Sequence, residues 1–215
     1  MKEYDAYLFD ADGTVLDTRE LVVRSFMHMG ETVGAAMPDR AAIEGTIGLV
    51  LETGIRILLG DGYPDAYYHK AADAYRTYMR EHYREHLRYF PGTVEVLARL
   101  RELGKKIALV TSRPRGSLDV FLDHLGIADR FDLTVTPDMT VRHKPDPEPA
   151  LYAAEKLGVP AARSVFIGDA VFDILCGRAA GMETVLVEWG GMLPDDWEAQ
   201  PDYIAKRFED LLPST

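Results

Sequence analysis

Two apolar segments of the sequence each end in a pair of acidic residues. Asp10 and Asp12 follow the first segment, and Asp169 and Asp173 follow the second. If extended backbone continues past the first segment, the two-residue spacing places Asp10 and Asp12 on the same side of the chain. Taken alone, the first pair also fits an acid-rich turn, and Asp173 is a favourable acid in the first turn of a helix. Two acidic strand ends that face each other can supply the oxygen ligands that Mg²⁺ requires.

Hydroxyl and lysine side chains stand at two further junctions between predicted elements. Thr111 and Ser112 follow an apolar segment, and Lys144 precedes a predicted helix. A hydroxyl group at a strand end can donate a hydrogen bond to a phosphoryl oxygen, and a lysine can neutralise its charge. Either segment alone fits an ordinary loop. Together with the four acids they predict a site for a phosphorylated ligand.

The elements that must position these residues alternate between apolar strands and helices. Continuous apolar runs are typical of parallel strands buried on both faces, and they occur at residues 7–9, 107–110, 133–135, 165–167 and 184–187. Helical patterns that end at a glycine, as helix C-termini prefer, occur at residues 94–103, 118–125 and 147–157. The predicted fold class is α/β with a Rossmann-like parallel sheet.

Residues 17–87 have a different pattern, with helical periodicity and no convincing strand. Helices are predicted at residues 19–33, 47–59 and 64–86. This segment separates the first strand from all the others, and a Pro91-Gly92 turn precedes the next helix. We expect a Rossmann-like catalytic core of residues 1–16 and 88–215, with an α-helical cap domain inserted at residues 17–87.

The four motifs together resemble the haloacid dehalogenase superfamily, subfamily I, whose members carry a helical cap after the first strand. The resemblance covers essentially the whole chain, and the motifs match in order and spacing: Asp10-x-Asp12-Gly13-Thr14, Thr111-Ser112, Lys144-Pro145 and Gly168-Asp169-x-x-x-Asp173. A chance match to four ordered motifs is far rarer than a match to one. One departure from the family pattern is Ser112, where many relatives carry Asn.

The resemblance implies a role for each motif. Asp10 would be the nucleophile and would pass through an aspartyl-phosphate, while Asp12 would protonate the leaving oxygen and later activate water. The implied Mg²⁺ ligands are the Asp10 carboxylate, the Asp12 backbone carbonyl and Asp169, with Asp173 supporting the site. The implied phosphate-binding groups are Thr111, the backbone at Ser112 and Lys144.

Within the superfamily, Asp12 favours phosphoryl chemistry, because haloacid dehalogenases displace halide without protonation and lack this second acid. Phosphonate hydrolysis of the related type needs a cap lysine, but Lys70 is the only lysine in residues 17–87 and falls on a predicted solvated helix face. A cap His–Lys arrangement like that of the phosphosugar mutases is not visible. We therefore expect an Mg²⁺-dependent phosphohydrolase similar to phosphoglycolate phosphatase. Inorganic pyrophosphatase and phosphosugar phosphatase or mutase are the alternatives.

Residues that select the substrate are harder to identify. Residues 17–28 resemble the cap entry of bacterial phosphoglycolate phosphatases and related pyrophosphatases, and residues 45–49 resemble a cap loop that dips over the active site in these enzymes. The candidate specificity residues are Arg19, Thr46, Gly48 and Arg113, with Arg24 and Arg56 as further arginines that could meet a second anionic group. Solvated helix surface explains Arg19 and Arg24 as well.

Two other functions are compatible with parts of the sequence, a zinc peptidase and a non-catalytic binding protein. His82, Glu85 and His86 match the H-x-x-E-H pattern of a zinc peptidase helix, but charged neighbours also fit a solvated stretch of cap helix. A superfamily protein that only binds a ligand or partner would be expected to lose the nucleophile or its metal partner, and both Asp10 and Asp169 are present.

Composition restricts the partners. The formal net charge of −11 argues against nucleic acid and against anionic membranes as partners, and no uncharged stretch approaches the roughly 18 residues of a membrane-spanning helix. The single cysteine, Cys176, fits a reducing cytoplasm. The expected partner is a small phosphorylated substrate, and both a monomer and a homodimer are compatible with the sequence.

Overall fold

A computed structural model describes residues 1–190 and 200–214, which form two compact units. The α/β unit comprises Met1–Asp17 and Tyr89–Thr215, and the helical unit comprises Thr18–Arg88. Residues 191–199 and 215, which belong to the predicted core, lie outside the described residues.

The strands, in chain order, are β1 (Ala6–Phe9), β2 (Leu16–Asp17), β3 (Arg88–Tyr89), β4 (Lys106–Val110), β5 (Leu133–Val135), β6 (Ser164–Gly168), β7 (Glu183–Val187) and β8 (Tyr203–Ala205). A six-stranded sheet has the order β5-β4-β1-β6-β7-β8, and each neighbouring pair is parallel. The short strands β2 and β3 pair in a separate two-stranded sheet. This arrangement confirms the predicted α/β class and parallel sheet.

Apolar continuity identified the inner strands because the sheet buries both of their faces. All four residues of β1 and all five of β6 are buried. The sequence pattern missed β8, an edge strand in which Ile204 is exposed and Ala205 is buried. Its apolar run has only three residues and stands between Asp202 and Lys206, which is too short to identify a strand by itself.

The helices, in chain order, are α1 (Arg19–Val33), α2 (Arg40–Glu44), α3 (Leu51–Leu59), α4 (Asp65–His86), α5 (Thr93–Glu102), α6 (Arg115–Leu125), α7 (Glu148–Leu157) and α8 (Val171–Ala179). None of the helices in the described part of the chain is long and apolar enough to cross a membrane. Helices α6 and α7 end at Gly126 and Gly158, which take left-handed backbone conformations. The predicted C-terminal glycines therefore mark real helix ends.

The helical unit is organised around α1 and α4. Phe26 of α1 packs on Tyr75 of α4, with 4.7 Å between the ring centroids. The predicted helix over residues 47–59 begins late, at Leu51, because Gly48 adopts φ +93° and interrupts the helical backbone. The sequence reading also missed α2, a single short helix whose start is capped by the side chain of Asp39.

The order of the strands in the sheet brings the predicted functional residues together. β1 lies between β4 and β6, so the carboxyl ends of these three strands are adjacent. In register, Phe9 stands beside Leu109 on one side and Ile167 on the other. Parallel α/β sheets bind ligands at this edge, where the strand order reverses.

Candidate active site

The site lies just beyond the carboxyl ends of the three central strands. Asp10 directly follows β1, Thr111 directly follows β4, and Asp169 directly follows β6. The backbone N–H of Asp10 donates to the carbonyl of Ile167 at 2.8 Å, so the ladder continues one residue past β1. The sheet therefore fixes the backbone from which the Asp10 carboxylate projects.

A buried lysine joins two of the predicted acids. Lys144 Nζ donates to Asp10 Oδ1 at 2.5 Å and to Asp173 Oδ1 at 2.6 Å. Only 1–2% of each of these three side chains is exposed. A lysine and two carboxylates buried together are favourable only as a paired set, because an unpaired charge in the interior is costly.

Three of the acids form a compact group of oxygen donors. Side-chain oxygens of Asp10, Asp169 and Asp173 lie within 4.8 Å of one another, and no other such group occurs among the His, Cys, Asp and Glu side chains that the structure describes. Asp10 Oδ2 is buried and accepts no hydrogen bond. A donor set made only of oxygen atoms suits Mg²⁺, so these residues fit the metal that the family resemblance implies.

The electrostatics of the group reflect its excess of negative charge. Burial raises the pKa of Asp10 to about 7; Lys144 opposes this rise and Asp173 adds to it. Burial, followed by the charges of Asp10 and Asp173, also raises the pKa of Asp169 well above its ordinary value. Although burial alone would lower it, the pKa of Lys144 is raised by the same two carboxylates that it contacts, Asp10 and Asp173. One lysine therefore does not balance three buried acids, and a bound cation would.

The turn after β1 supports Asp169. Thr14 Oγ1 donates to Asp169 Oδ1 at 3.1 Å. Gly13 has φ +85°, and a Cβ atom at this position would overlap the Asp169 carboxylate. The glycine of the first motif is therefore required twice, for its backbone conformation and for the space that Asp169 occupies.

Asp12 has a different partner from the other acids. Arg113 donates to it twice, from Nε to Oδ2 at 2.9 Å and from Nη2 to Oδ1 at 2.6 Å. The Asp12 carboxylate is not part of the three-acid group. Asp10 and Asp12 were predicted to lie on the same side of the chain. Their side chains form separate ion pairs, one with Lys144 and one with Arg113.

Thr111 and Ser112, the predicted phosphate-binding residues after β4, directly precede Arg113 in the sequence. Thr111 is buried and its Oγ1 accepts a hydrogen bond from the backbone N–H of Arg113 at 3.0 Å, while Ser112 is partly exposed. The Lys144–Pro145 peptide bond is cis. Thr111 thereby holds the backbone from which the Arg113 side chain extends.

The remaining predicted specificity residues lie in the helical unit. Arg19 is the first residue of α1, and the buried Thr46 donates its hydroxyl to the carbonyl of Ile43 at 2.7 Å. Gly48 is the residue that interrupts the predicted helix. Of the other arginines, Arg24 is exposed and pairs with Glu20 of its own helix, and Arg56 is exposed and stacks on Tyr68 at 4.1 Å.

The H-x-x-E-H pattern lies near the end of α4. His82 Nδ1 is 3.4 Å from Glu85 Oε1, and His82 stacks on Tyr78 with 4.2 Å between ring centroids. The metal-ligand group found in the described residues does not include His82, Glu85 or His86. These residues therefore have the contacts of a charged, partly solvated helix face.

The sequence pattern predicted Arg113 only as a substrate contact and did not indicate its pairing with Asp12. The signal available was an arginine directly after Thr111-Ser112, at a strand end next to β1. Nothing in the spacing alone distinguishes an arginine that faces a ligand from one that faces an acid 101 residues earlier in the chain.

Comparison with known proteins agrees with this geometry. Residues 7–187 match the profile of the haloacid dehalogenase-like hydrolases. The chain is 34% identical to a probable phosphatase, IndB, of Dickeya dadantii, over 95% of this chain and 90% of that protein. It is 32% identical to a putative pyrophosphatase, PpaX, of Clostridium perfringens, over 96% and 95% of the two chains.

A solved structure extends the agreement to the fold. The crystal structure of a putative haloacid dehalogenase-like hydrolase from Bacteroides fragilis superposes with a TM-score of 0.90 and 27% identity, covering 98% of this chain and all of that one. Its similarity spans both units of the present chain. With the four motifs, the parallel sheet and the profile match in agreement, the chain belongs to the haloacid dehalogenase-like hydrolase family.

Proposed function

We propose that this protein is an Mg²⁺-dependent phosphohydrolase that cleaves small phosphorylated metabolites through an aspartyl-phosphate. The observation that carries this proposal is the state of Asp10 at the end of the central strand. One of its carboxylate oxygens is held by Lys144, and the other is buried without a hydrogen-bond donor. A carboxylate that is fixed in place and only partly satisfied is a suitable nucleophile.

The acids of the site also fit the metal that this chemistry requires. Asp10 and Asp169 would hold Mg²⁺ together with the backbone carbonyl of Asp12, and Asp173 would support them. When bound, the cation offsets the repulsion between these carboxylates and an anionic phosphate. The charge excess described above supports this assignment, because burial of three acids with one lysine is costly without a cation.

In the first chemical step, a carboxylate oxygen of Asp10 attacks phosphorus. A P–O bond to Asp10 forms while the P–O bond to the leaving group breaks, and Asp12, which carries a proton when this step begins, transfers that proton to the leaving oxygen. Lys144, already at 2.5 Å from Asp10, brings positive charge to the place where phosphoryl oxygens would collect. Thr111 and the backbone at Ser112 are the proposed donors to those oxygens.

In the second step, water attacks the phosphorus of the aspartyl-phosphate. Asp12, ionised by the first step, accepts a proton from this water. The bond between phosphorus and Asp10 breaks, inorganic phosphate leaves, and the Asp10 carboxylate is restored. Asp12 serves as acid and then as base, so each turnover returns it to its starting state.

The leading substrate class is a small phosphate monoester, as in phosphoglycolate phosphatases. Pyrophosphate is a second candidate, because a pyrophosphatase-named relative is 32% identical over nearly the whole chain. A panel of phosphoglycolate, pyrophosphate and sugar phosphates, assayed by phosphate release with Mg²⁺ and with EDTA, distinguishes them by kcat/KM. Phosphate release that is equal with Mg²⁺ and with EDTA would contradict the metal dependence, and none from any substrate would contradict the function.

Four further assignments are predictions: the cap domain, the specificity residues, the compartment and the oligomeric state. The resemblance assigns the helical unit as a cap domain and places Arg19, Thr46 and Gly48 among the residues that select the substrate. The buried single cysteine, Cys176, supports a reducing compartment such as the cytoplasm. Both a monomer and a homodimer remain compatible with the proposed activity.

Replacing Asp169 by asparagine should separate metal binding from folding. Asp169→Asn removes one of three mutually repelling acids and keeps an oxygen that can accept from Thr14, so we expect the metal-free melting temperature to rise by about 2–4 °C. The stabilisation that Mg²⁺ gives the wild type by binding the folded state should disappear. Asp202→Asn, which changes an acid bound to Thr184, is the control and should retain the Mg²⁺ effect. A Mg²⁺-induced shift of wild-type size in Asp169→Asn would contradict the metal assignment.

A further inference from the structure

One arginine, Arg113, contacts both carboxylate oxygens of Asp12. Asp12 lies in the turn after β1, where backbone hydrogen bonds from Gly13 N to Leu16 O and from Leu16 N to Ala11 O hold the main chain. These bonds do not fix rotation about the side-chain bonds of Asp12. Both of its carboxylate oxygens accept from Arg113, so the guanidinium fixes the plane of the carboxylate.

Arg113 is itself held on several sides. Its Nη1 donates to Ser117 Oγ at 2.7 Å, its guanidinium stacks on the ring of Phe121 at 4.3 Å, and its backbone N–H donates to Thr111. Only 7% of the Arg113 side chain is exposed. All of these residues belong to the α/β unit.

This geometry favours a role toward Asp12 over a role toward substrate. Nε and both terminal nitrogens of Arg113 donate to protein groups, and one of its faces is covered by Phe121. A planar fork that donates two parallel bonds defines orientation, which the point charge of a lysine does not. The position therefore uses the property that distinguishes arginine from lysine.

We propose that Arg113 is a positioning residue that orients the Asp12 carboxylate for proton transfer to and from the reacting oxygens. The inference rests on the proposed function and adds to it a residue that acts through Asp12 without touching substrate. It replaces the interpretation of Arg113 as a contact for a second anionic group. Ser117 and Phe121 then belong to the same support, since they hold the guanidinium.

The test exploits the leaving group, because proton donation matters most when the leaving oxygen is strongly basic. Values of kcat/KM, which report the first step, are measured for phenyl phosphate and for 2,4-dinitrophenyl phosphate. Arg113→Ala should lower kcat/KM for phenyl phosphate about 100-fold, the cost of a misplaced catalytic group. The value for 2,4-dinitrophenyl phosphate should stay within about threefold of wild type, because its leaving group needs no proton.

Asp12→Asn provides the reference pattern, and Arg113→Ala should show the same dependence on the leaving group. Arg113→Lys should recover little, because a lysine lacks the fork. Ser117→Ala keeps Arg113 but removes the hydroxyl that accepts a hydrogen bond from its guanidinium, so it should show a weaker form of the same pattern. This variant tests the inference even where Arg113→Ala fails to fold. Arg115→Ala, two residues away with contacts to Thr134 and Met139, is the matched control and should leave both values unchanged.

The outcomes separate this inference from the proposed function. Equal losses for the two substrates, in Arg113→Ala or in Ser117→Ala, would indicate a substrate contact or a purely structural role and would overturn the inference alone. An unchanged or increased kcat/KM of Arg113→Ala for phenyl phosphate would also overturn the inference. A wild-type enzyme that is inactive toward both substrates would overturn the proposed function, and the inference with it.

Discussion

Asp10→Asn is expected to abolish phosphate release, with a loss of at least about 10⁴-fold in kcat, because an amide oxygen does not replace the attacking carboxylate. The change is nearly isosteric, and an asparagine oxygen can still accept the hydrogen bond of Lys144. Removal of one buried acid from a crowded group also relieves repulsion from Asp173. We therefore expect the variant to fold with at least wild-type stability in the absence of metal. Phosphate release from an aryl phosphate and a thermal melt measure the two effects together.

The matched control for this variant is Asp5→Asn. Asp5 precedes the same strand at its opposite end and pairs there with Arg163 on the surface. An exposed ion pair contributes about 0–1 kcal/mol, so the control should keep both activity and fold. Substantial activity in Asp10→Asn would contradict a nucleophilic role for this residue, whatever the control shows.

Lys144→Met should cost both activity and stability. The variant leaves Asp10 and Asp173 buried without their shared cation, and loss of one partner from a buried ion pair costs about 3–5 kcal/mol. We expect this loss in the free energy of unfolding of the metal-free protein, measured by denaturant titration at neutral pH. Activity with saturating Mg²⁺ should fall about 10²–10³-fold, the usual effect of removing one charge-stabilising donor from an active site.

A second variant separates the two losses. Lys144→Met combined with Asp173→Asn lowers the number of buried acids, so it should recover part of the stability without recovering activity. Lys105→Met is the control: Lys105 is a buried lysine at the other end of the sheet whose partner, Glu3, is exposed. Lys105→Met should lower the free energy of unfolding less than Lys144→Met does, and it should leave the activity unchanged. Wild-type stability of Lys144→Met in the metal-free protein would contradict the ion-pair argument.

Together these variants describe a site that is assembled at the expense of stability. The three acids repel one another, and the raised pKa values of Asp10 and Asp169 show that burial and nearby negative charge oppose the ionisation of these two groups. Proteins commonly accept such a cost where function needs a destabilised arrangement. The different signs expected for Asp169→Asn and Lys144→Met, one stabilising and one destabilising, follow from this charge balance.

The sequence predicted the deeply buried elements best. Central strands such as β1 and β6 are buried on both faces, so their apolar runs are continuous and identify them in the sequence. The edge strand β8 and the short helix α2 have weak patterns, because one has only three residues and the other only five, with its start capped by Asp39. The late start of α3 depended on the backbone conformation of Gly48, which periodicity does not report.

The sequence by itself determined the family, the parallel α/β fold and the identity of the acids, because residue types at strand ends and their order along the chain are local information. Only the tertiary structure decided which charges became partners. Lys144 lies between Asp10 and Asp173, and Arg113 pairs with Asp12, through contacts that span from 29 to 134 residues of chain. Such pairings depend on strand order and side-chain direction in three dimensions, and several basic residues near the strand ends satisfied the sequence pattern equally well.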